Sequence, residues 1–483
     1  MQAMHQGLVG GAALACAAGL AIGQCGGGFA ASVIYTEIPG HPTASPPGAG
    51  GQEFTALLSL YASPNGQHWI FKGFVGNAID VIVAGSGSSG AVVALEGDAT
   101  AIPGTTHSFV DSDCGINDSG QFAYGSRLLG ATTLIDEVIF FFDGTQQVTA
   151  VRESDPAPGL FDPGVSGDEI FGNSLNSTHV LNNGTVAFRA DLIGNIPTDY
   201  RSALYHGSVP VLQEGTQTTG GETIDSTVAL SGNTFSSSAD GSVWAVEADI
   251  APGVASVEAV VVNNTVMLKD GDLLPGSALP IDAVFAVDVD DAGNWFARGD
   301  FTDDTDWVVR NGAVIAMTGQ PITTGSAETW GDTLVAMNGL GGDYLVAGNT
   351  SGGGQALVLN GTTVVARQGD LIQLDGSTQV EIATFSAEDV ALTDDGRVLA
   401  FVTLNDPGTG TGLGDAFVEW GLVFGCNPAD LAPPCDVLDL ADINAFIAGF
   451  VAQDPITDLA QPFGVWDLAD VQAFAAAFVN GCP

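Results

Sequence analysis

The chain is short of cations. Its 483 residues hold only 10 Lys and Arg against 56 Asp and Glu, a formal net charge of −46 at pH 7. Nucleic acid and anionic membranes are bound through a positive face, so both partner classes are excluded. The acidic residues are spread along the chain rather than gathered in runs, which is the pattern of an exported β-protein kept soluble by its charge. Histidine is scarce as well: His5, His41, His68, His107, His179 and His206 form no HExxH pattern and no close pair with metal-ligand spacing. After the N-terminus no apolar run is long and pure enough to span a membrane. The stretch GSGSSG from Gly85 lacks the Gly-x-Ser-x-Gly spacing of a nucleophile elbow and reads as a flexible turn. Nothing in the chain announces a reaction, and no catalytic residue is assigned.

Repetition is what the chain does carry. Turn glycines followed by a β-rich segment recur as NGQHWIF at Gly66, DSGQFAY at Gly120, NNGTVAF at Gly184 and ADGSVWA at Gly241. They continue as DAGNWFA at Gly293, LGGDYLVA at Gly342 and DDGRVLAF at Gly396. The spacings, 54, 64, 57, 52, 49 and 54 residues, mark seven copies of one unit. A second signature interleaves with the first: ALEGD at Gly97, VRESD at Ser154, LQEGT at Gly215, LKDGD at Gly271, AMTGQ at Gly319 and ARQGD at Gly369. Short strands parted by Asn-Gly and Asp-Gly turns predict hairpins. A unit of this length holds about four strands, the size of a propeller blade. The fold class is therefore mainly β: a seven-bladed β-propeller over residues 32–420, followed by a small C-terminal α-helical domain.

The ends of the repeat region are out of step. The seventh unit has its first signature at Gly396 but only one further strand, Ala416 to Trp420, before the C-terminal module begins. The segment SVIYTEIPGHPTASPPG from Ser32 resembles a second signature with no first one ahead of it. An N-terminal strand that completes the last blade would close the ring and remove an open edge. A β-solenoid of stacked hairpins is the rival architecture, and it does not explain a split unit.

Trp69, Trp244, Trp295 and Tyr344 stand beside turn glycines, where blade core is the expectation and stacking on sugars the alternative. Lys72, Arg189 and Arg298 follow the first signature by five or six residues, and Arg152, Lys269 and Arg367 precede the second. Such placement predicts pairing with acidic neighbours between blades. The sharper alternative is a ring of cations around a central channel that binds an anion. Asp288, Asp290, Asp291 and Asn294 surround Gly293, as a hairpin turn or as a loose calcium loop.

The last 58 residues hold two copies of a different motif, offset by 28 positions. DLAPPCDVLDLADINAFIAGF starts at Asp430 and DLAQPFGVWDLADVQAFAAAF at Asp458. Asp439 and Asp442, like Asp467 and Asp470, have the spacing of a helix N-cap and its N3 position. Ile443, Phe446, Ile447 and Phe450 then fall at helical spacing, as do Val471, Phe474, Ala475 and Phe478. Two such helices pack face to face, and a Cys426 to Cys482 disulfide would staple a domain too small to stand on its core alone. For Cys435 the candidate partners are Cys114 and Cys25, with a buried free thiol as the alternative.

The repeats resemble a bacterial family of exported proteins with tandem Asn-x-x-Gly-x-x-Ala-Phe motifs and interchangeable C-terminal anchors, best at Asn117 to Tyr124 and Leu181 to Phe188. That family is named for its architecture, so the resemblance implies no activity. Residues 426–482 resemble the dockerin family, duplicated calcium loop plus helix modules that plug bacterial secreted proteins into cohesin domains on a scaffold. They are most similar to the class that ends in Gly-Cys, here Gly481 and Cys482. The resemblance implies calcium as cofactor, with Asp430 and Asp458 as first ligands and Asp439, Asp442, Asp467 and Asp470 as late ones. The third and fifth loop positions fall on Ala432, Pro434, Ala460 and Pro462, whose side chains cannot ligate. Calcium ligation and helix capping therefore both stand as readings of these aspartates.

Residues 1–23 read as a secretory signal peptide, with an apolar core from Leu8 to Ile22 and a cleavage site at Ala21-Ile22-Gly23. Cys16 and Cys25 keep a lipoprotein open as the alternative. Export places the chain in an oxidising compartment, where disulfides persist. The expectation is a secreted or cell-surface, non-enzymatic binding or structural protein, anchored to a cohesin-like or other envelope protein through residues 426–482. The alternative is a polysaccharide-active enzyme of glycoside hydrolase type, or a glycan-binding component of a dockerin-linked complex.

Overall fold

In the computed structural model the described residues are 26–161, 167–225, 235–251, 257–375, 378–394, 396–424, 440–452 and 466–481, with a few positions between 429 and 460. Seven antiparallel sheets follow one another along the chain and form the seven blades of a β-propeller. In blade 1 the strands Phe54–Ala62, His68–Val75, Ile79–Ser86 and Ser89–Leu95 pair in chain order from the centre outwards. Blade 2 spans 106–152, blade 3 170–213, blade 4 223–269, blade 5 281–317 and blade 6 330–367, each with the same meander. Blade 4 differs in that Thr223–Ile224 and Phe235–Ser237 both pair with Trp244–Ala251.

Blade 7 combines both ends of the repeat region. Its order is Gly26–Thr36, Gly412–Phe424, Val398–Asn405, Gln379–Leu392 and Leu371–Gln373, so the N-terminal strand lies outermost beside the last strand of the repeats. The split unit of the sequence is thus the closure of the ring, with Glu37 N donating to Asp415 O at 2.9 Å.

Each signature has a distinct job. The first is the turn between the innermost and second strands. Three residues ahead of its glycine a polar side chain accepts the amide that follows the turn: His68 N to Ser63 Oγ, Gln121 N to Asn117 Oδ1, Val243 N to Ser238 Oγ, Asn294 N to Asp290 Oδ1 and Arg397 N to Thr393 Oγ1, all between 2.7 and 3.1 Å. Asp290 therefore serves a hairpin turn. The second signature links one blade to the next. Gly97, Gly215, Gly271, Gly319 and Gly369 adopt φ between +76° and +91°, and their amides reach the first residues of the following innermost strand. Ser154 takes the same left-handed backbone at φ +69°.

Apolar packing is shared between neighbours rather than held inside one blade. Ile70, Ile82 and Ala94 of blade 1 pack with Val110, Tyr124 and Phe140 of blade 2. Tyr35, Phe401 and Phe417 of blade 7 pack with Trp69 and Phe71 of blade 1. A comparable cluster fills every other junction. Trp69, Trp244 and Trp295 are buried in these clusters, which settles them as core, while Tyr344 packs partly buried at the rim of one. Gly85 and Gly90 are packing positions rather than flexible ones: a Cβ on either would lie 2.5 or 2.2 Å from the Trp69 ring. Cys114 is a free thiol buried between blades 1 and 2, which removes it as a partner for Cys435.

The chain divides into two compact units, one spanning 29–421 and one holding 422–483. In the second, helices α1 (Leu440–Ala452) and α2 (Leu468–Asn480) repeat the 28-residue offset. Phe446 and Phe474 stack at 4.1 Å between ring centres. No described helix is long and apolar enough to cross a membrane. Residues 1–23, Cys426, Cys435 and Cys482 lie outside the described residues.

Candidate functional site in the central channel

The innermost strands converge on a cavity of about 420 Å³ at the end that carries the first-signature turns. Six carboxylates line it: Asp113, Asp288, Asp290, Asp291, Glu388 and Asp389. Among the described residues no Lys or Arg lines it, so these residues offer no anion-binding ring of cations.

All six carboxylates already have partners. Asp113 Oδ2 accepts Ser177 N at 2.8 Å and Asp389 Oδ1 accepts Leu60 N at 2.8 Å, each across a blade junction. Asp288 accepts Ser236 Oγ at 3.0 Å, Val289 N at 2.8 Å, Asn338 Nδ2 at 3.1 Å and Gly339 N at 3.2 Å, joining blades 4, 5 and 6. Asp290 holds its own turn through Asn294 N and Nδ2, and Asp291 receives the amide of Ala239. Glu388 meets Arg298, whose Nε lies 2.8 Å away and whose Nη1 donates to Leu334 O at 2.6 Å. Glu388 also bears a left-handed backbone, φ +61°, as do Ser59 and Ser177 at bulges of other innermost strands.

Burial makes five of these groups poor anions. It pushes Asp113 and Asp291 up to about 6 and Asp389 up to about 7. Asp288 and Glu388 are raised too, in each case chiefly by desolvation and against the hydrogen bonds or the Arg298 charge that lower them. Imidazoles in this region go the other way: burial lowers His179, whose Nε2 bonds Phe235 O at 2.8 Å.

A second set of carboxylates, further out, repeats with the blades. At or next to the start of each third strand an acceptor reaches the amide of the next blade's innermost strand. The pairs are Asp80 to Val110, Glu137 to Leu175, Glu258 to Val284, Asp306 to Leu334 and Gln355 to Phe385, at 2.7 to 3.3 Å. Glu37 does the same for Leu57 at 2.9 Å across the ring closure. Ser202 holds the equivalent place in blade 3, at the start of Ser202–His206.

Among the described residues, seven of the scarce cations pair with carboxylates within 4.0 Å. Lys72 Nζ lies 3.0 Å from Asp80 and 4.3 Å from the Phe109 ring centre, and both charged groups are buried. Arg127 pairs with Glu137 at 3.1 Å, Arg367 with Glu328 at 2.8 Å and Arg397 with Glu419 at 2.5 Å. Most pairs stay within a blade, and Arg298 to Glu388 is the one here that joins blade 5 to blade 7. Blade 4 has Glu247 where blades 1, 3 and 5 have Lys72, Arg189 and Arg298. Glu247, Asp249 and Glu258 consequently gather within 4.8 Å of one another.

In the helical unit the six aspartates separate into two groups. Asp430, Asp439 and Asp458 lie outside the described residues. Asp442, Asp467 and Asp470 are turned towards backbone amides. Asp442 Oδ1 accepts Leu431 N at 2.7 Å. Asp470 Oδ1 accepts Leu459 N and Ala460 N at 2.8 and 2.9 Å, and Oδ2 accepts Asp467 N at 2.9 Å. Asp467 caps α2 through Ala469 N, completing a capping box with Asp470. These three carboxylates, as placed, act as acceptors for backbone amides.

No family model matches this chain, and no curated protein matches it. Solved structures that align with it include TolB from Acinetobacter baumannii, at 12% identity and a TM-score of 0.29 over 62% of this chain and 63% of that one. A fucose-binding lectin from Aleuria aurantia aligns at 11% identity and a TM-score of 0.29, over 67% of this chain and 98% of the lectin. A prolyl endopeptidase aligns at 13% and 0.33, over 75% of this chain. This chain spans less than two thirds of TolB and 48% of the endopeptidase.

Proposed function

We propose that this is an exported, non-enzymatic binding or structural protein of the cell surface, whose propeller is held to an anchor protein by residues 426–482. The observation that carries the non-enzymatic part is the condition of the cavity carboxylates. Each is committed to backbone amides, to its own turn or to Arg298, so the wall of the channel is a set of ties between blades. Anchoring is supported by an apolar stripe on the module: Leu440, Ile447 and Val451 on α1 are 68%, 55% and 79% exposed, Ile447 thus lying off the packing face expected of it, and Leu468 and Val479, the counterparts of Leu440 and Val451 on α2, are 68% and 84% exposed. Exposed apolar surface of this kind marks an interaction site, and a cohesin-like envelope protein is the partner expected.

The test is capture from the producing cell's envelope by the full chain, beside a variant carrying Ile447→Ser, Val451→Ser and Val479→Ser. One dominant partner, lost in the variant while the thermal transition of the propeller is unchanged, is the expected result. Equal capture by both chains would remove the anchoring role.

A glycan-active role is the second reading. It is favoured by Asp113 and Asp389, two carboxyls of one cavity pushed up to about 6 and about 7, as a proton donor to a glycosidic oxygen would need to be. Release of reducing ends from a polysaccharide panel, abolished by Asp389→Asn, would establish it in place of the first.

A further inference from the structure

We infer that the C-terminal module holds its fold without a metal ion, each loop being gathered by a buried aspartate at the head of the helix that follows it. Asp442 and Asp470 stand third in α1 and α2, related by the 28-residue offset, and both have 0% of their surface exposed. Each receives the amide of the second loop residue, Leu431 or Leu459, eleven positions upstream. Asp470 also receives Ala460 N and Asp467 N, so three N–H groups surround one carboxylate at 2.8 to 2.9 Å.

A calcium ion demands six to eight oxygens. At the third loop position, where an oxygen should face the ion, Ala460 instead presents an N–H to Asp470. The matching residues Ala432, Pro434 and Pro462 carry no side-chain oxygen at all. An ion reaching Asp470 would have to displace three amides from its buried carboxylate, a loss of one hydrogen bond for each donor. The positive ends of backbone amides thus do for these carboxylates what a cation would. The stacked Phe446 and Phe474 supply the apolar contact between the helices. The inference concerns how the module is held, and it stands whether or not the anchoring reading does.

Hydrogen exchange read by mass spectrometry on the full oxidised chain tests it, in calcium and in chelator, over peptides covering 440–452 and 466–481. Protection should agree in the two buffers within about twofold, and Asp470→Ala should lower it in α2 by about tenfold in both buffers, with no rescue by calcium. A wild-type chain that loses protection about tenfold in chelator would overturn the inference. So would an Asp470→Ala chain that keeps full protection, or regains it with calcium.

Discussion

Asp389 shows what the acidic residues of the channel do. It bridges blade 7 to the Leu60 amide of blade 1, and burial pushes it up to about 7. Asp389→Asn keeps an acceptor oxygen and removes a charge that is costly to bury, so at pH 8 it should leave stability equal or raised. Asp389→Ala strands the Leu60 amide and should cost about 1–3 kcal/mol. Urea unfolding of both variants at pH 8 checks the pair, and an Asn variant that loses as much as the Ala variant would contradict the tie. Lys72→Met leaves Asp80 buried without its cation and is expected to cost about 3 kcal/mol, mostly recovered by adding Asp80→Asn. The same unfolding curves read it. The turn aromatics were legible as core because large apolar side chains repeat in place. The third-strand acceptors were not: Asp80, Glu137, Glu258, Asp306 and Gln355 differ in type and sit at no fixed distance from either signature, so only the backbone register reveals them. In the helical module, the cap spacing of Asp467 and Asp470 was legible; the use of loop amides by Asp442 and Asp470 needed the fold.

At the level of the element, glycine has two separate roles here. Gly90 makes room for a ring, and Gly90→Ala should destabilise by about 1–3 kcal/mol by overpacking Trp69. Gly87, three residues away, has open space around its Cβ direction but a φ of +51°, so Gly87→Ala should cost only about 1 kcal/mol in backbone strain. Thermal melts of the two variants side by side check this, and equal losses would refute the packing role. The N-terminal strand Gly26–Thr36 was foreseeable from a repeat count that failed to close. Its place outside Gly412–Phe424 follows from the same argument, since a ring with one strand missing leaves an edge open to other chains. Blade 4 was less legible, because among the described residues its innermost pairing is carried by two short segments, Thr223–Ile224 and Phe235–Ser237.

Across the whole molecule, these ties make an acidic ring with an unusual dependence on pH. Asp113, Asp291 and Asp306 are pushed up to about 6, Asp389 to about 7 and Glu214 to about 8, each chiefly by burial. A carboxyl raised in the folded state binds its proton more tightly there than in the unfolded chain. The stability it contributes is complete below the unfolded value near 4 and is lost as pH rises through the folded value. Carboxyls held down act in the opposite sense, their contribution present above about 4 and lost below it. They include Asp240 and Asp406 through turn hydrogen bonds and Glu328 through Arg367. Repulsion within a net charge of −46 adds to the penalty at high pH. The melting temperature of the full chain between pH 4 and pH 9, for the wild type and for Asp113→Asn with Asp389→Asn, tests the assignment of the cavity carboxylates as structural ties. The account predicts a maximum near pH 5, a fall of at least ~3 °C by pH 8, and a flatter, still folded double variant. A maximum at neutral pH, with the same slope in the double variant, would contradict it.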